Sequence, residues 1–131
     1  MQQVPVEADR DTVVGPEELV PAVERLVAAG TRLTTMVCLD VDPEFELIYL
    51  FQQSTLELVR LRVRIGKGQA VPSISSVLLG AALIENEIKE FFGVEFTDLA
   101  LDFQCRMLMA AGSPKTPLLK ITAESKFGGV E

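Results

Sequence analysis

Apolar residues recur along this chain with two different periods, and the switches between them divide it into elements. Leu19, Val23, Leu26 and Val27 share one face at helical spacing. Ahead of them, Gly15-Pro16-Glu17-Glu18 places Pro at a first helical position with two acids in the first turn, and Gly30 supplies the stop. After Gly30 the period becomes two: Thr35, Val37, Leu39 and Val41 point one way, and Met36, Cys38 and Asp40 the other. Asp42-Pro43-Glu44 reads as a turn into a second run, Phe45 to Phe51. A third run from Leu56 to Ile65 sets Val59, Leu61, Val63 and Ile65 opposite Arg60, Arg62 and Arg64. Short connectors make these runs an antiparallel meander.

Two further elements flank this centre. Val4 and Val6 suggest a short first strand, confined to a sheet edge by Pro5. Pro72-Ser73-Ile74-Ser75-Ser76 offers hydroxyl caps for a second, longer helix that ends at Gly93. Its apolar stripe is Val77, Ala81, Ile84, Ile88 and Phe91, and Glu85, Glu87, Lys89 and Glu90 form the opposite, solvated side. The order β-α-β-β-β-α packs most simply as a two-layer α+β sandwich, with helices on one face of a mainly antiparallel sheet. Residues 1–112 are expected to form this single domain, and residues 113–131 an extended C-terminal arm. Pro114 and Pro117 remove two backbone donors from the arm, so Leu118, Leu119 and Ile121 should gain burial only against a neighbour.

Composition narrows the chemistry. The 131 residues are 48% hydrophobic, enough for one core. A net charge of −7 disfavours nucleic acid and anionic lipid. The sequence holds no histidine, which excludes Ser-His-Asp and Cys-His nucleophile systems and any histidine-ligated metal. Cys38 and Cys105 lie far apart inside apolar runs and read as reduced, buried thiols of a cytosolic protein. The N-terminus has neither a signal-peptide nor a transit-peptide pattern, and no apolar run approaches the roughly 20 residues of a bilayer span.

Three groups of residues remain as candidates for chemistry. Gly66-Lys67-Gly68 resembles a fragment of a phosphate loop but lacks the full spacing, so a plain loop is the better reading. The Arg60, Arg62, Arg64 comb could grip an anionic partner on an uncovered sheet face, or simply be a solvated face. Six acids lie between Glu85 and Asp102 against one base, Lys89. Glu87 and Glu90, three apart on a helix, could share a hard cation; a solvated helix face is the competing and better reading.

Pro72-Ser73-Ile74, followed by Glu85-Asn86-Glu87-Ile88-Lys89-Glu90-Phe91-Phe92-Gly93-Val94-Glu95-Phe96, resembles the signature region of the thirty-kilodalton hydrophilic subunit of respiratory complex I (NADH-quinone oxidoreductase). Short forms of that family occur in energy-converting and carbon-monoxide-induced [NiFe] hydrogenases, and their length suits this chain. The family usually has Arg where this chain has Asn86, and its downstream basic run is reduced here to Asp98-Leu99-Ala100-Leu101-Asp102, with Arg106 the nearest base.

The resemblance implies a non-catalytic subunit that binds no cofactor. It would pack against a large hydrogenase-like subunit and a small iron–sulfur subunit on the cytoplasmic side of a membrane complex. The interface expected from it comprises Glu85, Glu87, Glu90, Phe92, Gly93, Phe96 and Arg106, an aromatic anchor rimmed by charge. Phe91 is expected in the core, and charge reversal at Glu87 and Glu90 is expected to leave the fold nearly unchanged. The alternative is a stand-alone α+β enzyme or ligand-binding module using Glu87 and Glu90 with a divalent metal.

Overall fold

The computed structural model describes residues 11–104 and 117–119. Its elements in chain order are β1 (Asp11–Val13), α1 (Pro16–Ala28), β2 (Arg32–Asp40), β3 (Glu44–Gln52), β4 (Leu58–Gly66), β5 (Val71–Pro72), α2 (Ala81–Phe92) and β6 (Phe96–Thr97). The strand expected at Val4 to Val6 lies outside the described residues.

The alternation in the three long strands decides how they pair. Met36 stands opposite Tyr49 and Cys38 opposite Leu47 across β2 and β3; Phe45 faces Ile65, Tyr49 faces Leu61 and Phe51 faces Val59 across β3 and β4. All of these are buried, so a slip of one residue would carry the whole apolar set to the solvent side. β1 joins β4 in parallel, with Asp11 opposite Arg60, and the sheet order is β1-β4-β3-β2. The fold is thus an α+β sandwich with a mixed sheet, α1 lying over β4 and α2 over β2.

Helix α1 follows its local signals. Glu18 accepts a hydrogen bond from the Gly15 amide at 3.1 Å, Pro16 opens the first turn, and Gly30, at φ +90°, closes the last. Leu19, Ala22 and Val23 are buried, with Leu26 and Val27 packed beside them.

Around α2 the structure departs from the sequence pattern. The helix begins at Ala81, not at the serines, and Gly80 precedes it without a side-chain cap. The serine hydroxyls have a stronger claimant in Glu85. Two-residue strands carry no readable period, so the parallel pair of β5 and β6, with Val71 opposite Phe96, was not legible.

The solvated side assigned to α2 is corrected as well. Glu85 is 0% exposed, Asn86 1% and Glu90 1%, and the buried arc runs through Ala81, Ala82, Glu85, Asn86 and Ile88. Ile84 and Phe91 are only half-buried, so the arc is rotated from the apolar stripe toward these polar residues. Charge reversal at Glu90 would therefore place a cation in the interior, and the expectation that it leaves the fold unchanged fails.

Most of the C-terminal arm lies outside the described residues. Within it, the Leu118 amide donates to the Phe91 carbonyl at 2.9 Å, and Leu119 packs against the protein's own core. Burial of Leu119 thus requires no neighbour. Cys38 is buried, and desolvation, aided by the Asp40 charge, pushes its thiol up to about 12, so it stays protonated and inert at neutral pH. Cys105 lies outside the described residues.

Candidate docking site around the second helix

Two adjacent residues of α2 organise the chain on either side of it. Glu85 Oε1 accepts from the Ser73 hydroxyl at 2.5 Å, and Oε2 accepts from the Ile74 amide at 2.9 Å. Ser73 Oγ lies 2.6 Å from Ser75 Oγ and accepts from the Ser75 amide at 2.9 Å. Ser75 Oγ accepts in turn from the Ala100 amide at 2.8 Å. The donors run one way: Ala100 N–H to Ser75, the Ser75 hydroxyl to Ser73, and the Ser73 hydroxyl to the carboxylate. Burial holds the Glu85 carboxyl above the usual carboxylate range, partly offset by the donors from Ser73 and Ile74.

Asn86 does for the following segment what Glu85 does for the preceding one. Its side-chain amide donates to the Ala82 carbonyl at 2.7 Å and to the Leu101 carbonyl at 2.8 Å, while Oδ1 accepts from the Phe103 amide at 2.9 Å. One turn further on, Lys89 Nζ pairs with Asp102 at 3.1 Å. The Gln104 amide, which donates to the same carboxylate at 2.8 Å, and with it the Lys89 ammonium pull the Asp102 carboxyl below its ordinary range. Residues 98–104 are thereby clamped along α2, between left-handed backbone at Asp98 (φ 61°) and Gln104 (φ 55°).

The expected interface residues separate by depth. Glu85, Glu90 and Phe96 are buried and hold the fold together, so their side chains are not surface a partner can touch. Phe92 is half-buried, edge-on to Phe45 with ring centroids 6.2 Å apart at 83°. Phe91, expected in the core, is half-buried too. Glu87 and Gly93 are exposed, and Gly93 closes the helix at φ 83°, a conformation a side chain would strain. Arg106 lies outside the described residues. Asn86, which the sequence offered only as a departure from a family pattern, is the residue that reasoning missed. No local signal marked it, because the partners that give it a role, Leu101 and Phe103, lie 15 and 17 residues away.

The other candidate groups are occupied by internal contacts. Lys67 Nζ lies 2.7 Å from Asp40 Oδ1 and 3.1 Å from Asp42 Oδ1, and 5.4 Å from the centre of the Phe45 ring, so its charge is already met. In the arginine comb, Arg62 holds Asp11 at 2.7 Å and Glu46 at 3.3 Å, and Arg64 lies 3.8 Å from both Glu44 and Glu46. Arg62 and Arg64 are thus met by carboxylates on the same sheet face. Burial also divides Glu87 from Glu90, and among the described residues no three carboxylate or thiol groups converge to hold a metal ion.

Over residues 12–126 the sequence matches the family described as respiratory-chain NADH dehydrogenase, 30 Kd subunit. Among solved structures the fold matches a chain of the membrane-bound sulfane sulfur reductase (MBS), an archaeal respiratory membrane complex, with a TM-score of 0.71 at 16% identity, covering 95% of this chain and 81% of that one. No match is found among curated proteins.

Proposed function

Because this chain belongs to the family of the respiratory-chain NADH dehydrogenase 30 Kd subunit, we propose that it is a non-catalytic assembly subunit of a membrane-associated oxidoreductase complex, of the complex I or energy-converting hydrogenase kind. In this reading it docks onto a large hydrogenase-like subunit and a small iron–sulfur subunit on the cytoplasmic side, held to the membrane through its complex. Among the described residues no helix is long and apolar enough to cross a membrane. The observation that carries the reading is the division of labour along the family's signature segment: Glu85 and Glu90 build the interior, while Glu87, Gly93 and part of Phe92 remain at the surface of the same helix.

The test is purification of the tagged full-length chain from native membranes, with identification of what stays bound. Hydrogenase-like and iron–sulfur subunits in fixed ratio are the expected result, and a chain recovered alone overturns the reading. On the same material, Glu87→Lys is expected to shift unfolding by under about 0.5 kcal/mol, as for other exposed helix charges. Partner recovery should fall about tenfold, the scale of an unmatched charge at an interface. A lost melt with unchanged binding per folded molecule would make Glu87 structural.

A further inference from the structure

The clamp on residues 98–104 has an outward side that the fold itself does not use. Leu101 is 47% exposed and Phe103 40%, and the backbone of both is held on α2 by the buried side chain of Asn86. The Asn86 amide reaches Ala82 and Leu101 with the same nitrogen, which sets Leu101 against the turn of α2 that carries Leu83. Leu83 is 53% exposed, and Leu79, in the turn that leads into the helix, is 61% exposed. Four large apolar side chains therefore stand open at one end of α2. Two hydrogen bonds to Asn86 and the Lys89–Asp102 ion pair fix two of them in place, although withdrawing them would remove apolar surface from water.

We propose that Leu79, Leu83, Leu101 and Phe103 form a preorganised docking surface for a different protein, one that presents an apolar patch edged by lysine or arginine. The charge around the patch selects that occupant. Glu87 lies one turn beyond Leu83 and Asp98 three residues before Leu101, and both are exposed. The one base between residues 79 and 104, Lys89, is paired with Asp102. The rim is acidic and calls for a basic complement. A second copy of this chain is a poor occupant, because a two-fold contact sets each patch against itself and brings like carboxylates together. Holding Leu101 and Phe103 in advance removes the ordering cost that a free segment would bring to binding.

The inference rests on the assembly reading above, and the experiment separates the two. A photo-crosslinking amino acid is placed at Leu83, at Phe103 or, as a control on the far face of the sheet, at Leu39, in the tagged full-length chain expressed in its native host. After irradiation the complex is purified and the crosslinked peptides are sequenced. Expected are crosslinks from positions 83 and 103 to neighbouring segments of one other subunit, with Lys or Arg within a few residues, and a carbodiimide link from Glu87 to a lysine there. Leu83→Asp should reduce recovery of that subunit about tenfold while the thermal melt of the isolated chain stays put, since the site is already exposed. Intact recovery of the complex with no crosslink from 83 or 103, or crosslinks to a second copy, overturns the docking surface and leaves the assembly reading standing. Recovery of the chain alone overturns both.

Discussion

Replacing Glu85 by alanine should cost about 3 kcal/mol of stability. The carboxylate accepts from Ser73 and Ile74 with no water access, so its removal leaves a hydroxyl and a backbone amide without partners inside the sandwich. Ser75 and the Ala100 amide, bonded through Ser73, lose their order with it. Urea titration monitored by circular dichroism reads the loss. Glu85→Gln, which keeps the shape and one acceptor but sets its amide against a donor, should cost about 1 kcal/mol.

The pH dependence of that pair carries a definite sign. The folded Glu85 carboxyl titrates above its unfolded value because burial disfavours the charge. Between the two values the folded chain binds more protons than the unfolded one, so the contribution of Glu85 to stability is full below about pH 4.3 and declines as pH rises. The advantage of the native chain over Glu85→Gln should therefore shrink from acid toward neutral pH. An advantage that grows over this range would show that the donors around the carboxylate, and not its burial, control the titration.

Asn86→Ala should cost about 2 kcal/mol, because the Leu101 carbonyl and Phe103 amide lose a partner together and residues 98–104 come away from the helix. Hydrogen exchange at the Phe103 amide should accelerate with it, whereas the amides of β3 keep their protection. Asn86→Arg, which installs the residue more usual in the family, should be the worse substitution here. Arginine has donors only, so it cannot accept from Phe103, and it brings a charge to a position that is 1% exposed. Equal or better stability for the arginine variant would mean that the segment after Ala100 can take a second arrangement on α2.

The meander could be read directly because each of its strands has one buried face, and alternation along Phe45 to Phe51 or Val59 to Ile65 reports that face in sequence. Helix α1 was equally plain, since its proline, acids and glycine act within a few residues. Helix α2 was harder for a physical reason. Its interior face is partly polar, and a periodicity that counts only apolar residues assigns Glu85, Asn86 and Glu90 to water. The partners of Glu85 and Asn86 outside the helix, Ser73, Ile74, Leu101 and Phe103, lie 11 to 17 residues away in sequence, beyond any local window. The serines at 73 and 75 read in sequence as caps of the helix; in the fold they satisfy a buried carboxylate instead.

The edge strand β1 imposes an order on assembly in time. Strands β2, β3 and β4 meet through short turns and their contacts are local, so the meander can close early at small loop-closure cost. Asp11 must instead find Arg60, and Val13 find Arg62, across the whole meander and helix α1. On a ribosome β1 therefore emerges before the other described strands and stays unpaired until β4 has been synthesised and the meander laid down, after which the two edges must still find each other. During that interval the edge of β4 stands open, and Arg60, Arg62 and Arg64 along it supply the charge that keeps an unpaired strand from recruiting another chain.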